Sequence, residues 1–152
     1  MQMAATLRLI FFVTHPVLQF IGICLSLCVL FLGIQRVRSL HMKHETLFNW
    51  RRHVSFGIMA LITWILGFAG GLWVVYRSWH GYFITGIHAT TASVMLPLIL
   101  FGLFSGWHMD RRKKKRKLLP LLHGVNNTLV VLLALSQIIS GIWVFRVFIL
   151  GR

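Results

Sequence analysis

Four histidines, His15, His53, His88 and His123, follow one another at intervals of 38, 35 and 35 residues. Each lies near the start of a separate apolar stretch. Neutral imidazole is a standard axial ligand of haem iron. In a chain that crosses a membrane, alternate stretches run in opposite directions. His15 and His88 then fall at one depth, and His53 and His123 at another. Two facing imidazole pairs at two depths are what bis-histidine ligation of two haems requires, and such a pair of sites moves electrons across a membrane. The competing reading is four interfacial histidines that snorkel to the headgroups. Ionisable groups inside a membrane are costly and default to functional readings, and one histidine per stretch on alternating sides favours the ligand reading. A structural zinc site wants four close ligands, which separation into two layers denies.

The glycines follow the same register. Eighteen residues make five helical turns, so positions i and i+18 share one helix face about 27 Å apart. Each histidine has a glycine at that offset: His15 with Gly33, His53 with Gly71, His88 with Gly106, and His123 with Gly141. With antiparallel neighbours, Gly71 and Gly141 fall at the level of His15 and His88. Gly33 and Gly106 fall at the level of His53 and His123. Glycine leaves room for a porphyrin edge between close helices, although it is also a common packing residue in membrane helices.

The elements that position these residues are set by the solvent. The chain has 152 residues, 57% of them hydrophobic and only 12% charged. A soluble domain of this size needs far more polar surface. A span of roughly 20 mostly apolar residues crosses the hydrocarbon as a helix. Four stretches qualify, at about residues 9–35, 54–76, 82–107 and 121–149. The runs are continuous rather than alternating, which excludes a β-barrel, and backbone groups in lipid must be satisfied within each segment. The expectation is an all-α, antiparallel bundle of four transmembrane helices, a single domain over residues 1–152. No cleavable signal-peptide pattern is evident.

Charge orients the bundle. The formal net charge is +14. The first connection carries Arg36, Arg38, Lys43, Arg51 and Arg52, and the third is the run Arg111-Arg112-Lys113-Lys114-Lys115-Arg116-Lys117. The second has only Arg77. Short loops rich in Lys and Arg stay on the cytoplasmic side, so both basic loops are expected inside and both termini outside. Attraction to anionic membrane lipid explains the basic run; lying between two membrane helices, it does not read as a nucleic-acid site.

The remaining polar residues are few. Arg51 and Arg52 are expected near the inner haem. Arg77, Trp79 and His80 are expected near the outer one, where haem propionates need positive or hydrogen-bonding partners. A quinol headgroup can hydrogen-bond His80 while Trp79 packs against its ring; the competing reading is an ordinary interfacial aromatic belt. Asn126 and Asn127, within a turn of His123, either orient its ring or bond a neighbouring helix. His41, His44 and His80 read as solvated loop residues, and His108 as an interfacial anchor ahead of the alternative, a contact with a quinone or a haem propionate. Cys24 and Cys28 read as small packing residues. Only two acidic residues exist, Glu45 and Asp110, so no carboxylate pair for acid–base catalysis is present. A haem conduit needs none, because the cofactor does the chemistry.

One histidine on each of four consecutive helices resembles the core of the cytochrome b561 family, in its short bacterial and plastid four-helix form. The phrases that carry the likeness are His15-Pro16, Arg52-His53-Val54-Ser55-Phe56-Gly57, Gly86-Ile87-His88 and Leu122-His123-Gly124-Val125-Asn126-Asn127. The resemblance implies two b-type haems, one held by His15 with His88 and one by His53 with His123. The expected function is an electron-transfer (oxidoreductase) component in a bacterial cytoplasmic or thylakoid-type membrane, exchanging electrons with a quinol or a redox protein. The ascorbate-using members have two further helices that this chain lacks. The alternative function is a non-catalytic anchor or assembly subunit of a larger respiratory or photosynthetic complex, among other membrane or cytochrome subunits, with one haem or none.

Overall fold

The computed structural model describes residues 2–41, 45 and 47–151, with side chains from residue 10 onward except those of 11, 40 and 41. Lys43, His44 and the side chain of His41 therefore lie outside the described residues. Four long helices account for nearly all of it: α1 (Gln2–His41), α2 (Trp50–Trp79), α3 (Ile87–Arg111) and α4 (Leu118–Val144). All four are long and apolar enough to cross a membrane. Large apolar side chains cover their outer faces; Phe20, Phe104 and Ile139 are 64%, 63% and 75% exposed. In water such a surface is an aggregation liability, and in lipid it is the solvated face. The protein is an integral membrane protein.

The helices outrun the apolar stretches that define them, because backbone hydrogen bonding continues into the polar flanks until a cap stops it. Asn49 starts α2: its side chain accepts from the Arg52 amide at 3.0 Å, satisfying one of the free N–H groups of the first turn. His80 ends α2 in a left-handed conformation, φ 56°, with its N–H on the Tyr76 carbonyl at 2.9 Å, the usual geometry of a helix stop. Arg77 and Trp79 thus belong to the last turn of α2 rather than to a loop. α3 begins at Ile87, later than the apolar run suggests. Gly86 precedes it at φ 57°, ψ −124°, a conformation that suits only glycine. Beyond Val144 the chain widens into a π-helical turn, Phe145–Ile149, with the Leu150 amide on the Phe145 carbonyl at 3.1 Å.

Consecutive helices are antiparallel. His15, early in α1, packs against Gly71, late in α2, while Gly33, late in α1, packs against His53 at the start of α2. His88 with Gly141 and Gly106 with His123 repeat the relation between α3 and α4. The closest neighbours are α1 with α2 and α3 with α4, then α2 with α3 and α1 with α4, which leaves α1–α3 and α2–α4 as the diagonals. One end of the bundle holds the start of α1, the α2–α3 turn and the end of α4. The opposite end holds the two basic connections.

Between the ends sits a compact apolar plug. Ile23, Trp64, Met95, Ile99, Val130 and Ala134 form one buried cluster with contributions from every helix. Trp64 donates its indole N–H to the Ser26 hydroxyl at 3.0 Å, so the one polar atom of that side chain is satisfied. Cys24 and Cys28 are free and exposed on α1; they face outward instead of packing in the core, so the packing role expected of them is not realised within the bundle.

Candidate functional site: two facing histidine pairs

The four helices bring the four histidines together in two pairs, each across a diagonal. The His15 and His88 ring centres are 6.3 Å apart with planes at 80°. The His53 and His123 centres are 6.4 Å apart with planes at 61°. The first pair lies at the end with the α2–α3 turn, the second at the basic end. No three His, Cys, Asp or Glu side chains converge among the described residues, so the imidazoles act as pairs and not as one closed cluster.

The spacing has a chemical meaning. A metal–imidazole bond is about 2 Å and a ring nitrogen lies roughly 1.1 Å from its ring centre, so two coaxial imidazoles sharing one metal stand about 6.2 Å apart, within a few tenths of an ångström of both pairs. Both pairs sit at that separation without direct hydrogen bonding between the two rings.

Each ring is seated by a glycine of the antiparallel neighbour. A Cβ placed on Gly71 would lie 2.9 Å from His15 Cε1, one on Gly106 3.2 Å from His123 Cε1, one on Gly141 3.4 Å from His88 Cε1, and one on Gly33 3.6 Å from His53 Cε1. The eighteen-residue register therefore pairs each histidine with a slot that admits its imidazole. Side chains at the first three would crowd the ring, while Gly33 has ordinary contact space.

Hydrogen bonds fix three of the rings. His15 Nδ1 donates to the Gly67 carbonyl at 2.9 Å. His88 Nδ1 meets the Ser140 hydroxyl at 3.0 Å, and that hydroxyl donates onward to Gln137 Oε1 at 2.8 Å. Gln137 Nε2 in turn donates to the His88 carbonyl at 2.9 Å, closing a loop that also sets the amide orientation. His123 Nδ1 meets the Ser105 hydroxyl at 2.8 Å, and Ser105 donates to the Phe101 carbonyl at 2.6 Å. A carbonyl, or a hydroxyl whose proton is already engaged, can only accept. The carbonyl places the proton of His15 on Nδ1 and leaves its Nε2 lone pair free to bind a metal; the engaged hydroxyls fit the same tautomer in His88 and His123. His53 Nδ1 is buried beside the Val29 carbonyl, which stands four residues before Gly33 as Gly67 stands before Gly71, but it falls short of hydrogen-bond geometry; Phe48 packs on its ring at 5.5 Å between centres.

The residues around the pairs divide clearly. A cavity of about 750 Å³ adjoins the first pair, within the range of cofactor pockets; His15, His88, Gly71, Gly141, Trp79 and Arg146 are among its lining. Arg77 is exposed and is not part of that lining. Trp79 packs on Phe12 and Phe148, and His80 is exposed at the end of α2. Arg51 and Arg52 are exposed in the first turn of α2, beside His53. His108 stacks on Phe104 and lies 3.5 Å from Arg116 Nη2. Asn126 crosses to α3, donating to the Leu98 carbonyl at 2.9 Å. Asn127 stays local, donating to the carbonyl of His123 at 2.8 Å with the same amide 3.3 Å from its Nδ1.

Sequence reasoning missed Ser105, Ser140, Gln137 and Arg146. The serines carry a readable signal: each stands seventeen residues after a histidine, at His88 and His123, directly before the seating glycine. Gln137 and Arg146 carry none, since a lone polar residue in an apolar stretch does not reveal which neighbour it meets.

No protein-family model matches the chain, no curated protein matches it, and no solved structure matches it.

Proposed function

We propose that the protein is a di-haem b-type membrane cytochrome, of the kind the cytochrome b561 family exemplifies, and that it carries electrons from one face of the membrane to the other. The observation that carries this reading is the ring-centre spacing of both diagonal pairs, 6.3 and 6.4 Å, together with Nδ1 atoms within hydrogen-bond distance of protein oxygens in three of the four rings. Imidazoles protonated on Nδ1 present Nε2 as a lone-pair donor, and a pair of them at this distance suits one six-coordinate iron. Haem bound there supplies a one-electron carrier.

The chain's own contribution is positioning. His15 with His88 holds one haem, and His53 with His123 the other. The glycines keep the imidazoles in place, and the serines and the Gly67 carbonyl hold their orientation. The buried plug around Trp64 excludes water from the space between the layers. Both basic connections face the cytoplasm by the positive-inside tendency, which puts the His15–His88 site toward the outside and anionic lipid against the basic loops. The membrane is a bacterial cytoplasmic or thylakoid-type one. The partners are a quinol or redox protein on one face and an acceptor on the other.

The test is the optical spectrum of the purified protein before and after addition of a short-chain quinol. A Soret band with sharpened visible bands on reduction is the expected result. A protein expressed with ample haem that shows no Soret absorbance contradicts it and favours a haem-free anchoring subunit.

A further inference from the structure

Arg146 is an anomaly at its end of the bundle. Like Arg77 it is exposed, but unlike Arg77 it lines the cavity that adjoins His15 and His88, and it makes no hydrogen bond, ion pair or cation–π contact among the described residues. The chain has only two acidic side chains, Glu45 and Asp110. Asp110 lies at the opposite end, paired with Lys113 at 3.0 Å, and Glu45 lies in the first basic connection at that same far end. No acidic side chain of the protein can reach Arg146. A guanidinium beside an apolar cavity in a membrane is costly without an anion. An acidic group on whatever fills the cavity, or a lipid headgroup, has the chemistry to pair with it.

The backbone places the residue there by a local departure from the α-helix. The π-helical turn Phe145–Ile149 widens the end of α4, and Phe145, Arg146, Ile149 and Leu150 all line the cavity. Wide turns of this kind recur at functional sites because they re-aim side chains that a regular helix would send elsewhere. Arg77, the cation that the sequence alone makes prominent at this end, is not among the residues that line the cavity.

The geometry points to Arg146 as the residue that binds the acidic edge of the ligand between His15 and His88, with a haem propionate as its counter-ion; this rests on the haem reading above. The planar fork of arginine matches a carboxylate in two parallel hydrogen bonds. A haem held by Arg146 would have its carboxylates toward the end of the bundle formed by the α2–α3 turn and the end of α4, and its apolar edge toward the plug.

The experiment compares the wild type with Arg146→Gln, Arg146→Lys and Arg77→Gln, purified in a phosphate-free detergent and loaded with either haem or its dimethyl ester. The readout is the rate at which porphyrin passes to an excess of apomyoglobin. Wild type should lose the ester from one site about tenfold faster than it loses haem, since hydrogen bonds to charged groups are worth about one tenfold step or more. Arg146→Gln should lose both porphyrins from that site at the same, faster rate. Arg146→Lys should fall between, and Arg77→Gln should behave as wild type. The assignment is overturned if Arg146→Gln keeps the preference for haem over the ester. It is equally overturned if that variant speeds the loss of both by one common factor, the result for a lipid-phosphate partner or a packing role. A wild type that takes up neither porphyrin overturns the haem reading itself, and this assignment with it.

Discussion

His123 and Ser105 meet at 2.8 Å, imidazole Nδ1 to hydroxyl oxygen, across the interface between α4 and α3. The serine gives its own proton to the Phe101 carbonyl, which leaves its oxygen able to accept the imidazole proton when Nε2 binds a metal. The same relation joins His88 to Ser140, with Gln137 taking the serine proton. An acceptor on Nδ1–H raises the basicity of the ring and strengthens it as a metal ligand.

Ser105→Ala and Ser140→Ala should therefore each affect one site. Loss of the acceptor makes the imidazole a weaker donor, which favours ferrous over ferric iron. The midpoint potential of the affected haem should rise, and its binding should weaken by about ten- to a hundredfold. Thr, which keeps the hydroxyl, should restore both. A spectroelectrochemical titration reads the potentials; unchanged values in both alanine variants would show that the serines only pack.

The glycine slots make a graded prediction. A Cβ on Gly71 lies 2.9 Å from His15, closer than side chains tolerate, whereas one on Gly33 lies 3.6 Å from His53. Gly71→Ala should destabilise the protein by about 1–3 kcal/mol, the usual cost of overpacking, and disturb one haem. Gly33→Ala should be nearly neutral. Leucine at Gly33, Gly71, Gly106 or Gly141 should disturb the haem at its own level. Thermal unfolding followed at the Soret band distinguishes the cases, and identical behaviour of the two alanine variants would contradict the seating role.

Electron delivery at the α2–α3 turn is a separate question. Trp79 lines the cavity at the first pair, and His80 is exposed one residue on. A quinol approaching there meets both. The double variant His80→Ala, Trp79→Ala should reduce severalfold more slowly with a short-chain quinol while keeping its haem. An unchanged rate would move the quinol's approach to the basic end, near His108.

Much of the architecture was legible in the sequence because lipid imposes it. Four apolar stretches long enough to span leave few alternatives to a four-helix bundle, and the eighteen-residue histidine–glycine register is a property of helix geometry alone. The pairing of His15 with His88 and of His53 with His123 follows once neighbours are antiparallel. The helix ends were not legible: the cap at Asn49, the left-handed His80 and the turn at Gly86 each depend on local backbone geometry. The place of Arg146 in the cavity lining was hidden for the same reason. Its side chain reaches the cavity through a π-helical turn, and no periodic pattern announces such a turn. Arg77, conspicuous as the lone cation of its connection, turned out to be exposed at the end of α2.

The central claim is that each diagonal pair holds one haem. The most direct test is the haem-to-protein ratio of the purified protein by pyridine haemochrome, in the wild type and in the four single variants His15→Ala, His88→Ala, His53→Ala and His123→Ala. The account predicts two b haems per chain in the wild type. His15→Ala and His88→Ala should lose one and the same haem, and His53→Ala and His123→Ala the other. Two low-spin haems retained in all four variants, or none in the wild type, would contradict it.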